Sequence, residues 1–77
     1  MASVQMSWDS CPAVERQPGK VSGAWVFRNT RVPVTALFEN LRDGATIDEF
    51  LQWFRGVTRK QIQGVLGHEL ATLTQAA

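Results

Sequence analysis

From residue 33 onward the apolar residues recur at helical spacing in three separate stretches, with only a few residues between one stretch and the next. Val34, Leu37, Phe38 and Leu41 fall at i, i+3, i+4 and i+7; Ile47, Phe50, Leu51 and Phe54 repeat the pattern; Ile62, Val65, Leu66, Leu70 and Leu73 form a third stripe. Each stripe makes one apolar helix face, and helices so short and so closely joined bury their stripes only against one another. The spacing predicts helices over about 33–43, 47–55 and 59–73. Pro33 suits the first position of a helix, where its missing N–H costs nothing, and Gly44 suits a left-handed C-terminal cap. Thr46 with Glu49, and Thr58 with Gln61, each read as a capping box. The last two helices, with a glycine-containing turn between them, fit a helix-turn-helix unit whose second helix enters the major groove.

In front of the helices the pattern changes. Residues 1–13 show neither helical periodicity nor alternation and read as an arm, with Pro12 disfavouring helix before it. Residues 14–28 carry Pro18-Gly19, a turn signal, then the β-formers Val21, Trp25, Val26 and Phe27. A hairpin with strands Val14 to Gln17 and Val21 to Phe27 is expected, and a lone hairpin is stable only when packed on something else. Residues 14–77 thus form one mainly α domain.

Size limits how that domain holds together. At 77 residues it buries only about 60% of its unfolded surface, and chains of this size usually add disulfides, a metal or a second subunit. Cys11 is the only cysteine and His68 the only histidine, so neither an intrachain disulfide nor a zinc cluster is expected. Self-association remains, and a homodimer is the expectation. A net charge of +1 excludes affinity from a general positive field, so any nucleic-acid contact is local. No apolar run approaches the roughly 20 residues that cross a bilayer, residues 1–10 lack a basic stretch followed by an apolar core, and the chain reads as cytoplasmic.

Arg59, Lys60, Gln61 and Gln63 open the third helix, where a reading helix touches base edges: Arg pairs with guanine, Gln with adenine. The same residues also suit the solvated face and cap of an ordinary surface helix. Gly64 and Gly67 sit inside that helix at a cost of about 0.8–1.0 kcal/mol each relative to Ala, which suggests close approach of a partner helix or of DNA. Arg31 enters a helix N-terminus, where the dipole prefers anions. A salt bridge to Asp43, Asp48 or Glu49 accounts for it first and phosphate contact second; Arg28 and Arg42 share that ambiguity. Of the three tryptophans, Trp25 is the interface candidate, and Trp53 either widens the core-facing side of the second helix or joins the interface. His68 has no serine or cysteine placed near it as a nucleophile, and Asp48 and Glu49 are explained by the helix dipole and capping box. No catalytic residue, metal site or cofactor is expected.

Gly23-Ala24-Trp25-Val26-Phe27-Arg28-Asn29-Thr30-Arg31-Val32-Pro33-Val34, with the Gly44-to-Phe50 and Gly56-Val57-Thr58 segments, resembles the domain of unknown function 433 family. The Thr30-Arg31-Val32-Pro33-Val34 core is the most specific piece. Asn29 replaces the family's usual glycine, and Asn tolerates a left-handed backbone; Arg55 replaces a common proline. The resemblance implies a homeodomain-like helix-turn-helix with a small β-element in front, often dimeric. It further implies an antitoxin of a type II toxin-antitoxin pair that binds operator DNA and a PIN-like nuclease toxin. The alternative is a protein-interaction module that masks a partner enzyme without touching DNA.

Overall fold

The computed structural model describes residues 8–19 and 21–76. It is mainly helical. A short antiparallel pair, β1 (Val14–Glu15) and β2 (Val26–Phe27), precedes three helices: α1 (Val34–Arg42), α2 (Ile47–Trp53) and α3 (Arg59–Ala76). The helix count and order follow the three apolar stripes. The core joins Val14, Phe27, Val34, Leu37, Phe50, Val57, Ile62 and Val65 with Cys11. Phe27 from β2 and Phe50 from α2 lie with ring centroids 6.2 Å apart, and Phe50 stacks on Phe54 at 4.5 Å.

The hairpin is shorter than its β-formers suggest. Val14 pairs with Phe27 and Glu15 with Val26, Arg28 N–H donates to Ala13 O at 2.9 Å beside them, and among the described residues the strands extend no further toward the turn. Val21 and Ser22 hold φ of 50° and 54°, between the left-handed Gly19 and Gly23, and residues 21–23 close a single 3-10 turn. Left-handed residues cannot continue an extended strand, so β-propensity at Val21 is overridden. The missing pairing reappears on the other side of β2. Phe27 N–H donates to Val32 O and Val34 N–H to Trp25 O, at 3.0 and 2.9 Å, with Val26 bridging Pro33. β2 is therefore central to a miniature sheet, and both of its residues are fully buried.

Pro33 caps α1 instead of occupying its first turn: its ψ of 144° is extended. The other end matches expectation. Ala45 N–H donates to Asn40 O and Gly44 N–H to Leu41 O, with Gly44 at φ 101°, which is the Schellman arrangement. α2 stops at Trp53, two residues before the expected end, because Phe54 leaves helical geometry (φ −119°, ψ 75°).

Two further expectations change. Residues 1–7 of the expected arm lie outside the described residues, but from Trp8 the chain is docked. Trp8–Ser10 makes one 3-10 turn, Cys11 is buried, and the Trp8 ring lies 4.6 Å from that of His68. Only the first part of α3's stripe is covered. Ile62 and Val65 are fully buried and Leu66 half-buried, whereas Leu70 and Leu73 are 65% and 58% exposed. The hairpin and the first two helices are too small to reach the last turns of an 18-residue helix.

The docked segment explains one helical glycine and not the other. A Cβ on Gly64 would lie 3.3 Å from the Ala13 Cβ of the same chain, whereas one on Gly67 would meet nothing within 4 Å. Close approach at Gly64 thus comes from the chain's own N-terminal segment, not from a partner helix or DNA. Gly67→Ala is expected to stabilise the fold by about 0.5–1 kcal/mol through helix propensity. Gly64→Ala should gain clearly less, because Ala13 must give way. Urea unfolding of the two variants side by side measures the difference.

Candidate nucleic-acid interface

The expected site residues gather where two turns meet. The first turn, Arg28 to Arg31, links β2 to the extended residues before α1. Asn29 takes φ 66°, and Thr30 fixes the loop. Its Oγ1 donates to Phe27 O at 2.7 Å and accepts from Val32 N–H at 3.0 Å. The second turn, Phe54 to Thr58, joins α2 to α3 and is closed by Val57 N–H to Phe54 O at 3.0 Å. The turns touch at Gly56, where an added Cβ would lie 3.3 Å from Thr30 Cγ2.

Gln61 locks them together. Thr58 N–H donates to Gln61 Oε1 at 3.0 Å and Gln61 N–H to Thr58 Oγ1 at 3.1 Å, completing the capping box. The Gln61 Nε2 then donates to Arg28 O at 3.0 Å. Both polar atoms of this side chain are held by the fold, so it is a structural tie and not a group poised to read a base. Arg28 is occupied in the same way. Its Nε and one terminal nitrogen donate to Pro12 O and Val14 O at 2.8 and 2.9 Å, and the other terminal nitrogen lies 3.8 Å from Glu15. Glu15 also accepts from Asn29 N–H.

Arg31, by contrast, is exposed and makes none of the three expected salt bridges. Asp43 pairs with its neighbour Arg42 at 3.0 Å, Asp48 pairs with Arg59, and Glu49 closes the capping box of α2 with Thr46. The structural alternative for Arg31 therefore has no acceptor here. Arg55, Lys60 and Gln63 are exposed as well. Arg31 adjoins Thr30, Arg55 adjoins Gly56 and Lys60 adjoins Gln61, so all three flank the residues through which the two turns meet, while Lys60 lines a hollow with Pro12, Ala13 and Gly64 that Arg55 and Arg59 do not share. A shallow groove of about 470 Å³ is lined by Asp48, Leu51, Gln52, Arg55 and Arg59.

The two helix N-termini differ in charge. α2 carries Asp48 and Glu49 in its first turn, as the dipole favours. α3 has no acid in its first turn and begins with Arg59 and Lys60, against the dipole. Such a start favours an external anion near that end. Asp48 answers Arg59 only in part, since both side chains are more than half exposed, and exposed pairs of this kind contribute about 0–1 kcal/mol.

The expected interface residues are scattered. Trp25 is half-buried, with the Arg16 guanidinium 4.7 Å from its ring centroid. Trp53 is 57% exposed at the end of α2, Gly67 faces open space, and Gly64 is covered by Ala13. Sequence reasoning passed over Trp8 and Cys11, whose three-residue spacing on a single turn was the available signal. It also passed over Arg16 and Glu69, which carry no local motif. Among the described residues no group of three or more His, Cys, Asp or Glu is placed to hold a metal, and no helix is long and apolar enough to cross a membrane.

Comparison with known proteins gives one match: the family described as protein of unknown function (DUF433) covers residues 14–67. No curated protein and no solved structure matches. The matched span runs from β1 through both turns into α3 and contains Arg31, Arg55, Arg59, Lys60 and Gln63.

Gln61→Ala removes half of a capping box and the tie to Arg28 O. It is expected to cost about 1–2 kcal/mol of stability, against less than about 0.5 kcal/mol for the exposed Gln63→Ala. Thermal and denaturant unfolding distinguish them; equal effects would remove Gln61 from its structural role.

Proposed function

The chain belongs to the DUF433 family of proteins of unknown function, and from that premise we propose that it is a non-catalytic DNA-binding regulator of the antitoxin kind. In this reading the first two turns of α3 enter the major groove. Arg59 and Gln63 face base edges, and Lys60, Arg31 and Arg55 hold phosphates on either side. The observation that supports the reading is the cationic start of α3, unsupported by its own dipole, with exposed Arg55 lining the same groove as Arg59. Gln61 is excluded from contact and instead sets the angle at which α3 leaves the turn.

A homodimer suits both the operator and the fold. A second copy covering Leu70 and Leu73 would complete the stripe of α3 and present two reading helices to a two-fold related site. The exposed Leu70, Leu73 and Trp53 also support the second reading, in which the chain covers a partner enzyme such as a PIN-like nuclease. One molecule can do both, since the cations lie at one end of α3 and the leucines at the other.

The test is a titration of the protein with duplex DNA from immediately upstream of its own gene, at several salt concentrations, against a scrambled duplex. Preference for the upstream DNA with a steep salt dependence is expected. Replacing both Arg59 and Lys60 with Ala should weaken binding by about tenfold or more and reduce the salt slope by about one per lost phosphate contact, with the circular dichroism spectrum unchanged. Weak, equal binding to both duplexes would reject the DNA reading and leave the partner-masking one.

A further inference from the structure

Away from the cationic start of α3, Trp8, Ala24, Trp25, Val34, Thr35, Phe38 and Glu69 line a cleft of about 330 Å³. That volume is at the small end of the roughly 300–1,000 Å³ typical of small-molecule sites. Its composition is unusual for a surface hollow. Among the described residues three of its lining side chains are large aromatics, drawn from the 3-10 turn, the approach to β2, and α1, and the ionisable one is Glu69 on α3. Glu69 is half-buried, and among the described residues its carboxylate has neither a hydrogen bond nor an ion pair.

We propose that this cleft is a binding site for a small organic ammonium ion, with the charged head between the Trp8, Trp25 and Phe38 rings and the Glu69 carboxylate as its counter-ion. Aromatic faces attract cations through their quadrupole, most strongly for indole, and cages of this composition select alkylammonium groups. The Trp25 indole already shows that attraction within the molecule, holding the Arg16 guanidinium 4.7 Å from its centroid. Arg16 is exposed and is not part of the cleft wall, so it sits beside the site as a competing charge. His68 lies against Trp8, with ring centroids 4.6 Å apart. The site is independent of the DNA reading: none of its residues belongs to the two turns or to the start of α3.

Choline and its neutral isostere 3,3-dimethylbutan-1-ol are the probes, at constant ionic strength. They are followed through the indole N–H resonances of Trp8 and Trp25, with exposed Trp53 as internal control. Choline should shift the first two signals saturably and bind at least about tenfold more tightly than the alcohol. Glu69→Gln, which preserves shape, should weaken choline several-fold, narrowing its advantage over the alcohol to what the aromatic rings supply, while leaving the alcohol's affinity and the remainder of the spectrum in place. Arg16→Gln should tighten choline several-fold by removing the competing charge. Equal binding of both probes to the unsubstituted protein would overturn the proposal in favour of a merely apolar hollow, and absence of any saturable shift would overturn it outright.

Discussion

The amide of Gln61 ties the start of α3 to the turn after β2 by hydrogen bonds, beside the packing that also joins them. One oxygen and one nitrogen on a single side chain satisfy the first turn of α3 and the carbonyl of Arg28, 33 residues away. Without that link the capping box still forms locally, but the turn that carries Arg31 loses its hydrogen bond to α3. Thr30 and Gly56 complete the joint: the Thr30 methyl fits against a position where a side chain would crowd it. The family match spans this joint, and the placement of the exposed cations follows from it.

Helices are legible in the sequence because each carries its own period and its own caps. The Thr46-Glu49 and Thr58-Gln61 boxes and the Gly44 cap are local agreements between side chain and backbone, and local agreements can be read from a string. The hairpin is less legible because β2 takes its second partner from Val32 and Pro33, not from an extension of β1. Two left-handed residues at Val21 and Ser22 carry no glycine to announce them. The end of α3's buried stripe is illegible for a different reason. Leu70 and Leu73 have the spacing of core residues, and only the length of the elements opposite decides that they stay uncovered.

At the candidate site the residue types were readable and their duties were not. Arg59, Lys60, Gln61 and Gln63 look alike as a polar run, yet Gln61 is held by two parts of the backbone while its neighbours face solvent. Arg28 and Arg31 flank the same turn, and only one is held by carbonyls. These duties depend on where Pro12, Val14 and Gly56 come to lie, which is long-range information. Gly64 makes the same point: its cost in helix propensity is real, and the close approach that explains it comes from Ala13, a residue of the segment expected to be a free arm.

α3 ties these observations together because its ends are built for different surroundings. Its first turn concentrates positive charge where the peptide dipoles already point their positive end, an arrangement that weakens the isolated helix and is relieved by an anion from outside. Its last turns carry leucines in water, a cost relieved by an apolar surface from outside. Between them, Ile62 and Val65 anchor the helix in the core, so that both ends are presented rigidly. In a domain whose own core is small, one anchored helix thus carries at each end a feature that the described residues do not fully offset.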